Sequence, residues 1–175
     1  REDRARFAAA AEASMGYFLS GFTEDGYCSE GLGYWNYGFG HFLLLSETLI
    51  HATSGKLNLL EAPGVRAPAQ FPRNIQIQHG VYPAFADCSV GSRPDHASMF
   101  YINRYFQFGW PQHAELPDAG ATGGLPENLL FGFPNSASAR PVPPPRPNAS
   151  LRSWFKDAGI LIARPAEGSA SRFAV

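Results

Sequence analysis

Asp25-Gly26-Tyr27-Cys28-Ser29-Glu30-Gly31-Leu32-Gly33-Tyr34-Trp35-Asn36-Tyr37-Gly38 is the stretch on which the rest of this chain is organised. Its glycines permit turns and close backbone approach. Trp35 and the tyrosines offer flat apolar faces with polar edges, and Glu30 and Asn36 add hydrogen-bonding groups, a composition suited to sugar rings as well as to plain packing. On both sides the apolar residues take up helical spacing. Upstream, Phe7, Ala8, Ala11, Met15, Phe18, Leu19 and Phe22 predict a helix over 5–22, opened by Arg1-Glu2-Asp3-Arg4 and stopped by the Asp25-Gly26 turn. Downstream, Phe42, Leu45, Leu49 and Ala52 predict a second helix from Trp35 to Thr53, with Gly55 in the stop position. The stretch is therefore expected to be the loop of an αα-hairpin.

Further along, Pro63, Pro68 and Pro72 leave room only for short helical turns at 57–61 and 67–71. Ile75-Gln76-Ile77-Gln78 alternates apolar with polar and predicts a strand, turning at His79-Gly80 and returning irregularly over 81–87 because of Pro83. A third helix is predicted over 95–108, capped by Asp95. Gly, Pro, Ser and Ala dominate 109–150, including Pro143-Pro144-Pro145, which predicts an irregular connection. The period then changes. Residues 158–163 predict a buried strand, 165–169 a turn and 172–175 a further strand. The expected organisation is a helical part over 1–110, a connection over 111–150 and the opening of a β-domain over 151–175. Two strands do not hold a sheet by themselves, so the chain is expected to be an internal piece of a larger protein.

Composition narrows the functional classes. With 175 residues a full core is within reach, and 45% apolar side chains argue against disorder. Fourteen basic residues face fifteen acidic ones, so no global field attracts a polyanion, and nucleic acid is not expected as a partner. No stretch has the length and apolarity of a membrane span. Cys28 and Cys88 fit neither a multi-disulfide scaffold nor a zinc spacing, and whether they pair is left open. His41, His51, His79, His96 and His113 show no His-x-x-x-His pattern, so no metal is expected within the chain. Phosphate loops, Rossmann glycines and nucleophile elbows are absent.

The pattern Asp-Gly-x-x-x-Glu-Gly-x-x-Tyr-Trp-x-Tyr-Gly over 25–38 resembles the heparinase II/III-type polysaccharide lyases. Three later stretches resemble the same family in the same order: Gly80-Val81-Tyr82-Pro83-Ala84-Phe85-Ala86-Asp87-Cys88, the Pro-rich connection, and Trp154-Phe155-Lys156-Asp157-Ala158-Gly159-Ile160-Leu161-Ile162-Ala163-Arg164. The resemblance implies an α+β multi-domain protein, the chain covering the C-terminal part of an α/α toroid and the first strands of an antiparallel β-sandwich. It implies a carbon–oxygen lyase, periplasmic or secreted, cleaving a uronate-containing acidic polysaccharide by β-elimination. The proton at C5 of a uronate is acidic enough only when the neighbouring carboxylate is neutralised, and the departing O4 must be protonated. By motif match the proton-transfer residue is Tyr34. A free tyrosine has a pKa of about 10, which suits the acid role toward O4 better than the base role.

Around Tyr34 the candidates are Glu30, as loop support or a partner for a sugar hydroxyl, Trp35 and Tyr37, as stacking faces or packing, and His79, facing a cleft or serving in a plain turn. The family's carboxylate-binding group corresponds to sequence upstream of Arg1, and its zinc-ligating histidine motif to β-strands beyond Val175. This piece alone is therefore expected to be inactive. Two other classes compete: a glycoside hydrolase on a helical toroid, for which Glu30 and Asp87 form the one available carboxylate pair, and a non-catalytic glycan-binding helical domain.

Overall fold

The computed structural model describes residues 2–78, 80–114, 124–146 and 151–165. It contains helices α1 (Glu2–Ser20), α2 (Leu32–Thr53), α3 (Arg66–Ile75), α4 (His96–Phe106) and α5 (Leu125–Gly132), with short 3-10 turns at Leu59–Glu61 and Pro111–His113. Strands β1 (Arg152–Phe155) and β2 (Ile160–Ala163) form a two-stranded antiparallel sheet. The architecture is helix-rich with a small sheet. None of the described helices is long and apolar enough to cross a membrane.

Helix α2 is the central element. Leu32, Trp35, Phe39, Phe42 and Leu43, then Ser46, Leu49 and Ile50, follow the helical period, line one face and are all buried. The helix stops where Ser54 turns left-handed and Gly55, at φ +80, donates its N–H back to Ile50 O at 2.8 Å. α1 lies against α2 through Phe18, stacked on Phe42 with ring centres 5.8 Å apart, and Phe22, two residues past the end of α1, stands edge-on to Phe39 at 6.1 Å. The expected amphipathic face of α1 is used in part, with Ala8, Met15, Phe18 and Leu19 partly buried against the core. No α1 residue is fully buried, and Phe7 and Tyr17 are exposed.

Helix α3 corrects two expectations at once. The prolines were expected to limit 67–71 to a short turn, and 75–78 to begin a strand. Instead one ten-residue helix runs from Arg66 through Ile75. Pro68 sits in the first turn, where a missing N–H costs nothing. Pro72 deprives Pro68 O of its helical donor, and the Trp35 indole N–H supplies the replacement at 2.8 Å. The four-residue alternation at 75–78 is too short to outweigh that helix, so only an isolated bridge, Gln78 with Val81, remains of the predicted hairpin.

α4 starts as expected at the Asp95 cap, whose carboxylate accepts the Ser98 N–H at 2.7 Å, and ends at left-handed Gln107. The 109–150 segment, expected to be irregular throughout, carries α5. Pro126 lies in the first turn of that helix, and Phe131 stacks on Tyr101 with ring centres 4.7 Å apart. The extended stretch that follows is fastened to α4 and the residues just after it. Arg104 Nε donates to Arg140 O, Gln107 Nε2 to Pro141 O and Arg146 N to Gly109 O, each at 2.9 Å.

In the hairpin β1 pairs with β2 in the register Arg152↔Ala163 to Phe155↔Ile160. The predicted strand at 158–163 is present over its last four residues. Its partner is the preceding segment, whereas the expected strand at 172–175 and most of the 165–169 turn lie outside the described residues. Phe155 enters the helical core between Tyr27 and Phe71, with ring centres 5.3 and 5.9 Å away. Arg164 grips the end of α3, donating to Asn74 O at 2.6 Å and Gln76 O at 2.7 Å, where a helix C-terminus favours a cation. Among the described residues, the helical part, the connection and the hairpin share one core.

Candidate functional site

The 25–38 stretch divides into an inward and an outward set. Gly26 and Gly31 adopt φ of +84 and +85. A Cβ at Gly26 would fall 2.2 Å from the Ala67 carbonyl carbon, and one at Gly31 would fall 2.6 Å from Phe85 O, so both glycines permit contacts that no other residue allows. Asp25 accepts from the Thr23 hydroxyl on one oxygen and from the Lys156 N–H, at 2.7 Å, on the other, pinning the β1–β2 turn to this loop. Tyr27 and Cys28 are buried, and burial pushes the Tyr27 hydroxyl above its ordinary pKa. This half of the motif is scaffold.

Trp35 belongs to the scaffold too, which corrects its assignment as a stacking face for sugar. Its side chain is 0% exposed and stacks on Phe39 with ring centres 5.2 Å apart. The helical register decides this, because position 35 shares a face with 32, 39 and 42. Asn36 is likewise occupied. Its amide donates to Arg93 O at 2.7 Å and accepts from Asp95 N at 2.9 Å, holding the start of α4 against α2.

The outward set consists of Glu30, Tyr34 and Tyr37, and His41 continues it one turn further along α2. Positions 34, 37 and 41 lie about a turn apart on one exposed face of α2. Tyr34 is 47% exposed and Tyr37 69% exposed. The Tyr37 and His41 rings meet at 4.6 Å, and His41 Nδ1 approaches Tyr37 O at 2.6 Å, which orients the imidazole. The Tyr34 hydroxyl and the Glu30 carboxylate have no hydrogen-bond partner among the described residues. Such a face can stack on a sugar ring and deliver a phenolic proton without first breaking an internal bond. His79 lies outside the described residues. Glu30 and Asp87 are both exposed, on adjoining turns that touch through Gly31.

Three polar groupings were not legible in the sequence. Glu47, on α2, is 0% exposed. Its carboxylate accepts from Asn135 N at 2.7 Å, Ser138 Oγ at 2.8 Å and the Tyr101 hydroxyl, with His51 Nε2 at 3.1 Å. Burial, then the bond to Glu47, drives the Tyr101 pKa far up. The only sequence signal was an acid in register with the apolar face at Leu43 and Ile50. A second chain of bonds runs from Arg73 Nη1 to Gln76 Oε1, at 3.1 Å, and from Gln76 Nε2 to the Tyr82 hydroxyl, at 3.0 Å.

Finally, the His96 and His113 rings stand edge to face at 5.3 Å. His113 is 7% exposed and its buried Nδ1 has no hydrogen-bond partner among the described residues; burial first, then His96 and Arg73, hold its pKa down to about 4. It is neutral at pH 7. Among the described residues no three His, Cys, Asp or Glu side chains come together in a way that could hold a metal ion. Comparison with known proteins finds no matching family model and no matching curated protein.

Proposed function

We propose that the exposed face of α2 is part of the active surface of a polysaccharide lyase, with Tyr34 as the acid that protonates O4 of a uronate during β-elimination. On this reading the antiparallel pair α1–α2 and the helices packed on it are a piece of an α/α toroid, and the β1–β2 hairpin is the beginning of a β-sandwich. The observation that carries the reading is the contrast at adjacent positions. Trp35 is locked in the core, and Tyr34 beside it is 47% exposed, with a hydroxyl that has no hydrogen-bond partner among the described residues. A phenol hydroxyl carries the proton that the leaving oxygen needs.

Tyr37, with His41 at its edge, offers the flat face on which a neighbouring sugar stacks. Glu30 is a hydrogen-bonding group for sugar hydroxyls at the end of this face. The group that neutralises the substrate carboxylate, and any zinc-binding strand, would come from sequence flanking this chain. A non-catalytic glycan-binding domain would use the same face, and the two readings part at the chemistry.

The test is elimination by the protein with its native flanking sequence, supplied with uronate polymers and followed by the ultraviolet absorption of the unsaturated uronate product. Tyr34→Phe keeps the ring and deletes the hydroxyl. Turnover should fall by about two to four orders of magnitude, with folding and polysaccharide affinity unchanged. Near-normal turnover by that variant sinks the role of Tyr34. Binding without any unsaturated product, in the unmodified protein, would favour the non-catalytic reading.

A further inference from the structure

Cys28 and Cys88 are sixty positions apart in sequence, and both are buried in the fold, 9% and 7% exposed. Each sits at one end of a tight turn. Gly31 N donates to Cys28 O at 3.0 Å, closing the turn that leads into α2, and Cys88 N donates to Phe85 O at 3.1 Å, closing the other. The turns meet at Gly31, where a Cβ would lie 2.8 Å from Cys88 Cβ and 2.6 Å from Phe85 O. The missing side chain at 31 is what lets the cysteine-bearing turns come into contact. The two thiols are also electrostatic neighbours. Burial first, with the Cys88 thiol among the lesser contributors, raises the Cys28 pKa, and the Glu30 backbone N–H works against that rise.

From the meeting of these two turns we infer that Cys28 and Cys88 are a dithiol that oxidises to an intramolecular disulfide, tying the start of α2 to the 85–88 turn. The structure holds both as free thiols. With a small-molecule disulfide of the glutathione class as oxidant, one cysteine thiolate attacks the reagent and expels one reagent thiol, leaving a mixed disulfide. The second cysteine, as thiolate, then attacks the protein sulfur of that mixed disulfide and expels the second reagent thiol. The two cysteines lose two protons and two electrons, and the reagent gains both. Because the bond closes a long segment, it restricts the unfolded chain, and it fixes the turn immediately before Tyr34.

The experiment equilibrates the purified protein with oxidised and reduced glutathione in urea below its unfolding transition, then blocks remaining thiols by alkylation and maps peptides. The expected result is loss of both thiols, a monomer on a non-reducing gel, one cross-linked pair containing Cys28 and Cys88, and a Tm about 5–15 °C above that of the reduced protein. Cys88→Ser, under the same conditions, should carry glutathione on Cys28 as a mixed disulfide or keep a free thiol. Two alkylatable thiols in the unmodified protein across the whole range of oxidant, or only mixed disulfides and intermolecular dimers, would overturn the proposal.

Discussion

Helix α2 presents polar side chains on two faces, and the fold treats them in opposite ways. On one face Glu47 is sealed from water and its two oxygens are met by a backbone N–H, two hydroxyls and an imidazole, from the 135–138 turn, from α4 and from its own helix. On the other, Tyr34 and Tyr37 stand in solvent, and the Tyr34 hydroxyl is unclaimed among the described residues. A buried carboxylate is tolerated only when every lone pair is answered, so the first face reports on stability. Unanswered groups on an exposed face cost nothing to maintain and remain open to a ligand, so the second is where the proposed function would act. The two should separate cleanly under mutation.

The largest effect is expected at Glu47. Glu47→Ala strands the Asn135 N–H and the Ser138 and Tyr101 hydroxyls and opens a cavity, and should lower the unfolding free energy by about 3–5 kcal/mol in urea titrations. Glu47→Gln keeps the shape and part of the bonding, and should cost clearly less. If both variants unfold like the parent, the buried carboxylate is not what joins α2, α4 and the 135–138 turn.

A smaller effect is expected at His113, which is buried like Glu47 but has one ring nitrogen without a partner among the described residues. Its folded pKa of about 4 lies below the usual unfolded value of about 6.5, so the unfolded chain binds the proton first as pH falls. Stability should be unaffected above pH ~6.5 and decline between ~6.5 and ~4, by up to about 3 kcal/mol. Equal declines in the parent and in His113→Phe across that window would assign the pH dependence to other groups.

The smallest change in stability is expected on the exposed face. Tyr37→Ala should alter the unfolding free energy by less than about 0.5 kcal/mol, as for ordinary surface positions. Its effect should appear in ligand binding instead, as a roughly two- to tenfold loss of affinity for a uronate polymer from the missing stacking face. A Tyr37→Ala protein that binds as well as the parent moves the sugar-binding surface elsewhere.

How much of this was legible depended on how local its cause was. The α1–α2 hairpin, the stop at Gly55 and the Asp95 cap follow from periodicity and from single residues acting within one turn, and each could be read directly. α3 could not, because two prolines argue against a helix unless a distant donor repairs the bond Pro72 removes, and that donor is Trp35, thirty-three positions away. α5 was hidden in a Pro- and Gly-rich run for a related reason, since proline marks a first turn as readily as a break. The pairing of β2 with Arg152–Phe155 was not legible, because apolar runs alone do not say which two segments close a hairpin.

The sequence by itself determined that an aromatic, glycine-rich loop leads into a long amphipathic helix, and that Tyr34, Trp35 and Tyr37 lie at its start. Only the tertiary structure decided which of those rings are available. Neighbouring positions on a helix differ by about 100° in direction, so composition cannot separate Trp35, which turns into the core and repairs α3, from Tyr34, which turns out to solvent. The same holds for Glu47, an acid like any other along the chain until α4 and the 135–138 turn fold over it and supply the donors that make its burial tolerable.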